Sequence, residues 1–125
     1  MRLQNYYYRI LGSESDGGLQ AGFRLLLLPG CDVYDGHFPG NPVCPGVFNL
    51  QMIKECVESM TGSKLKIDSI RQCRLTSLAT PSECPELQLD IKLSAADSSS
   101  YQVEARLHAG DKAVMVMNCV MAEAR

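Results

Sequence analysis

The sequence predicts an α+β fold in which one antiparallel sheet of about six strands wraps around one long central helix. Three observations carry this expectation. Two aromatic or apolar runs near the start flank a Gly/Ser-rich turn, one stretch over 47–61 repeats at helical spacing, and three runs after residue 85 have strand length and strand patterning.

Residues 3–11 contain three consecutive tyrosines and read as a strand, GSESDGG reads as a turn, and LQAGFRLLLL over 19–28 reads as a second strand. The pair is expected to form a hairpin. After a Gly/Pro-rich loop, VFNLQMIKECVESMTG places Val47, Leu50, Ile53, Val57 and Met60 in one helical row, with Phe48, Met52 and Cys56 in a second row beside it. Pro45 suits the first turn and Gly62 the position just past the end. Apolar residues cover so much of the circumference that this helix is expected to be wrapped by other structure. At about 100° per residue, Gln51, Glu55 and Glu58 fall in one narrow polar stripe, with Lys54 and Ser59 at its margins. That stripe needs water, a partner or a cavity.

Residues 63–75 read as a mixed strand, while ELQLDIKLSA and SYQVEARLHA alternate cleanly. AGDK is a hairpin turn into AVMVMNCVMA, whose unbroken apolar character predicts an interior strand covered on both faces. Such a sheet leaves an edge open, and pairing two edges across a two-fold axis would protect it. A homodimer or higher oligomer is therefore expected.

A chain of 125 residues is most simply one domain, spanning 1–125. Twelve basic and fourteen acidic residues leave a net charge of −2, with no basic run of the kind nucleic-acid binding requires. The start MRLQNYYYRI lacks the apolar core of a signal peptide, and no apolar run approaches membrane-span length. The expectation is a cytoplasmic protein with no membrane or nucleic-acid partner. Six cysteines form no C-x-x-C pair and only two histidines accompany them, so reduced, mostly buried thiols are expected and no metal site or other cofactor.

The segment DGHFPGNPVCPGVFNLQ concentrates three glycines, three prolines and His37. Glycine permits backbone close to a ligand, proline stiffens the loop, and a histidine presented there is a candidate site. These residues carry a resemblance. HFPGNPVCPGV looks like the H-F-P-G-x-P-x-x-P-G-V motif of the 3-hydroxyacyl-acyl-carrier-protein dehydratases, the FabZ and FabA type of hotdog protein. The resemblance implies a single hotdog domain, an acyl carrier protein bearing an acyl thioester as partner, and dehydration of 3-hydroxyacyl thioesters.

In that family the motif histidine faces a carboxylate on the long helix of the other subunit, and the glycine at the helix start offers its N–H to the thioester carbonyl. Carried over, these are His37 as base and Gly46 as oxyanion donor. Phe38, Pro39, Gly40, Val47 and Met52 become candidate substrate contacts, since an acyl tunnel in such a fold runs between helix and sheet. Gln51 stands where the family carries Glu or Asp, and Glu55, one turn later, stands where it often carries Gln. An amide cannot donate and recover a proton at neutral pH, so Glu55 is a candidate for the relocated acid, about 6 Å further along the axis. Lys64, Lys66, Arg71 and Arg74 form a candidate docking face for an acidic carrier protein. His108, Cys44 and Glu58 read as structural or solvated. Two other classes remain open: a non-catalytic acyl-binding or heterodimer subunit, and a hotdog thioesterase that uses a carboxylate-activated water.

Overall fold

The computed structural model describes residues 3–15, 19–28, 46–76 and 85–124, the side chains of 46–48 excepted. The elements are β1 (Tyr8–Ser15), β2 (Gln20–Leu27), α1 (Gly46–Thr61), β3 (Leu65–Leu75), β4 (Glu86–Asp97), β5 (Ser100–Ala109) and β6 (Lys112–Glu123). All six strands form one antiparallel sheet in the order β1-β2-β4-β5-β6-β3, so β1 and β3 are its edges.

One face of this sheet meets the helix. Phe23, Leu25, Leu89, Ile91, Val103, Leu107, Met117 and Cys119 alternate inward from their strands and pack with Met52, Ile53, Cys56 and Val57 of α1 into a single core. Leu50 and Met60 are half-buried at the helix flanks. The helix ends as its sequence requires: Gly62 takes φ 72° and its N–H donates to Glu58 O at 2.8 Å, closing the last turn in a conformation that costs glycine little. Glu58 also accepts the Leu65 N–H at 2.8 Å, fastening the start of β3 to the helix end. The β5–β6 hairpin turns over Gly110, at φ 58°, as expected.

Three expectations change. Residues 3–7 form a compact turn instead of strand, with Tyr6 and Tyr7 N–H both donating to Leu3 O and Asn5 in the left-handed region at φ 67°. The strand starts at Tyr8 and runs on to Ser15, through a register shift between Ile10 and Gly12, so β1 ends four residues later than the pattern suggests while β2 begins within one residue of it. In β6, Met115, Met117, Cys119 and Met121 are buried but Val116, Asn118 and Val120 are only half-covered. The strand is interior, and α1 covers only one of its faces. Cys73 is exposed on β3, whereas Cys56 and Cys119 are buried free thiols.

Candidate active site

The polar stripe of α1 is where sequence and structure meet. Gln51, Lys54, Glu55, Glu58, Ser59 and Lys64 line an open cleft of about 530 Å³ along the helix. Only one of them is fully withdrawn from solvent: Glu55 is 2% exposed. Burying a carboxylate is costly unless its lone pairs are met, and here four donors meet them. Oε2 accepts the Leu3 N–H at 2.7 Å and Gln51 Nε2 at 3.0 Å, and Oε1 accepts the Gln4 N–H at 2.9 Å and the Tyr8 hydroxyl at 3.0 Å. Three of these partners are N–H groups, which can only donate. Glu55 therefore clasps the N-terminal turn to the helix and fixes the amide of Gln51 through an i,i+4 contact.

A second polar pair lies nearer the helix start, six residues before Glu55. The Tyr7 hydroxyl donates to Asn49 Oδ1 at 2.9 Å, with Tyr7 fully buried and Asn49 1% exposed. Among the described residues, Asn49 Nδ2, equally buried, has no hydrogen-bond partner. Beside Glu55, burial pushes the Cys56 thiol up to about 12, outweighing a hydrogen bond from Tyr8 that acts the other way, while the Glu55 charge adds to the rise. That thiol is not a nucleophile at neutral pH.

Among the other candidates, Gly46 and Val47 open the helix, so their backbone N–H groups lie in its first turn. Met52 is fully buried in the core between helix and sheet. His37, Phe38, Pro39 and Gly40 lie outside the described residues. Lys64 is exposed at the rim of the cleft, and Lys66, Arg71 and Arg74 are exposed along the β3 edge, so the four basic residues follow one side of the molecule. His108 lies away from the cleft, paired with Asp90 at 2.9 Å and with Gly110 O at 3.0 Å from its other ring nitrogen. Sequence reasoning missed Asn49, Tyr7 and Tyr8. The available signal was an amide set among apolar helix positions and a tyrosine cluster able to meet it.

Residues 13–115 match the family model described as ApeI-like, ApeI dehydratase. The 3-hydroxyacyl-[acyl-carrier-protein] dehydratase FabZ of Lactococcus lactis is 29% identical over 82 residues, 56% of this chain and 54% of that protein. Its counterpart in Lactiplantibacillus plantarum is 26% identical over 87 residues, 64% of this chain and 58% of that protein. The chain thus spans somewhat over half the length of these curated relatives. Among solved structures, the dehydratase heterocomplex ApeI:P from Xenorhabdus doucetiae superposes with a TM-score of 0.68 at 18% identity, covering 91% of this chain and 96% of that one. A hypothetical thioesterase with coenzyme A from Streptococcus pneumoniae superposes with a TM-score of 0.62 at 8% identity, covering 94% and 85%. At such identities the structures establish the hotdog fold and nothing finer.

Proposed function

The chain belongs to the ApeI-like dehydratase family, and on that premise we propose that it dehydrates 3-hydroxyacyl thioesters carried on an acyl carrier protein, in fatty acid or related acyl-chain biosynthesis. The observation that carries this reading is the extent of the family match, which runs through the HFPGNPVCPG loop and the whole of α1.

In the proposed reaction His37 takes the α-proton and the electron pair moves onto the thioester oxygen, which the Gly46 N–H receives at the helix N-terminus. The enolate then expels the 3-hydroxyl as the C2–C3 double bond forms. The departing oxygen takes the proton back from His37, and one water leaves. Gln51, its amide set by Glu55, orients the departing hydroxyl. Glu55 acts by holding that amide, because its oxygens are already engaged by four donors. Phe38, Pro39, Gly40 and Val47 contact the acyl group near the thioester, with Met52 at the core end of its path. Lys64, Lys66, Arg71 and Arg74 receive the acidic carrier protein. Two copies join through β3, an edge of 11 residues that leaves Ile70 46% and Leu75 43% exposed.

A second reading is favoured by Gln51 standing where the family carries a carboxylate, and by the superposing ApeI:P protein being a heterocomplex. In it, this chain is one half of a mixed dimer whose other half brings the acid. The test is hydration of a crotonyl thioester by the purified chain, following enoyl absorbance and free thiol together. Loss of the enoyl signal without thiol supports the dehydratase, thiol release supports a thioesterase, and an inert chain that becomes active with an acid-bearing hotdog partner supports the mixed dimer.

A further inference from the structure

Asn49 is the one buried side chain among the described residues with a polar atom left unpartnered. A buried donor left unspent costs about 1–3 kcal/mol, so its retention in an otherwise apolar helix face calls for an explanation. Its place in the helix supplies one. α1 starts at Gly46, so the N–H groups of Gly46, Val47 and Phe48 have no acceptor within the helix, and the positive end of the helix dipole lies there. Side chains on a helix lean toward its N-terminus, which carries the Asn49 amide back over this first turn. The orientation of that amide is set as well. The Tyr7 hydroxyl donates to Oδ1 at 2.9 Å, so Nδ2 occupies the other limb.

We propose that Asn49 Nδ2 is a second oxyanion donor, converging with the Gly46 N–H on the thioester carbonyl oxygen, and that Tyr7 is the positioning residue that fixes its amide. This rests on the reading of the chain as an acyl-thioester dehydratase. As the α-proton leaves, negative charge grows on that oxygen, and a buried, preoriented amide stabilises it more than it stabilises the neutral ground-state carbonyl. No covalent change occurs at Asn49. Among the described residues the donor has no partner, and the arriving carbonyl satisfies it.

The test uses Asn49→Leu combined with Tyr7→Phe, which removes both members of the polar pair and leaves neither partner stranded. In hydration of crotonyl-N-acetylcysteamine, kcat should fall by about 10²-fold or more with KM little changed, while the melting temperature is held or raised. A kcat within about threefold of wild type overturns the proposal, as does a lowered melting temperature with unchanged kcat, the mark of a structural amide. If wild type hydrates no enoyl thioester, the dehydratase reading fails by itself, and the amide is tested by binding. Titration with butyryl-N-acetylcysteamine should then move the Asn49 side-chain NH2 resonances, and their failure to move at saturation overturns the proposal.

Discussion

Replacing Glu55 with alanine removes the acceptor of four hydrogen bonds at once, and the structure allows the cost to be worked out. The Leu3 N–H and the Tyr8 hydroxyl lose an acceptor in buried surroundings, whereas Gln4 and Gln51 are partly solvated and re-form bonds with water more readily. Two buried donors at about 1–3 kcal/mol each, offset in part by no longer burying a carboxylate, give a loss of about 3 kcal/mol. Against a typical total of about 5–15 kcal/mol this is severe, and at about 3–5 °C per kcal/mol for a domain of this size it lowers Tm by roughly 10 °C. Tyr8→Phe removes one bond of the four and should cost about 1 kcal/mol. Urea and thermal unfolding measure both, and hydrogen exchange at the Leu3 and Gln4 amides locates the effect in the N-terminal turn. An alanine variant within about 0.5 kcal/mol of wild type, with the Leu3 amide still protected, would refute the clasp.

The remaining predictions concern other parts of the molecule. His108 titrates above its ordinary value because of its hydrogen bond to Asp90, with burial opposing and Gly110 O assisting; for Asp90 burial alone would raise the carboxyl, but hydrogen bonds from His108 and Gln88 leave it lowered. The His108 contribution is therefore full below about pH 6.5 and lost as pH rises through its folded value, while that of Asp90 is lost as pH falls below about 4. His108→Gln should cost under about 1 kcal/mol at pH 5.5 and less as pH rises above the His108 titration, and an equal loss throughout would contradict the pairing. Burial holds Cys56 at about 12 and Cys119 at about 11, so site-resolved maleimide labelling at pH 8 should spare both until urea unfolds the chain. If two copies join through β3 as proposed, Ile70→Asp should convert dimer to monomer at micromolar concentration, and an unchanged light-scattering mass would rule β3 out as the interface.

Much of this was legible because it depends on local pattern. Alternation placed β4 and β5, helical spacing placed α1, and Gly62 and Gly110 marked their turns through conformations that other residues avoid. The N-terminal turn was not legible. Three tyrosines favour a strand locally, and what overrides them is Asn5 in the left-handed region together with a carboxylate about fifty residues away, a contact that no local pattern encodes. For the same reason the helical stripe gives the direction of Glu55 but not the four donors that meet it. Asn49 was hidden inside an apolar pattern that tolerates one exception. An apolar run such as Ala113 to Ala122 reports that a strand is interior without reporting how many of its faces one chain can cover.

The central claim is that this chain removes an α-proton from an acyl thioester with His37. Wash-in of deuterium at C2 of a 3-hydroxybutyryl thioester in D2O, followed by NMR, tests that step directly because it needs the base and the oxyanion donors but no separate acid. The account predicts deuterium at C2 with wild type and none above background with His37→Ala. Exchange at the wild-type rate in His37→Ala, or thiol release by wild type with C2 still fully protonated, would contradict it.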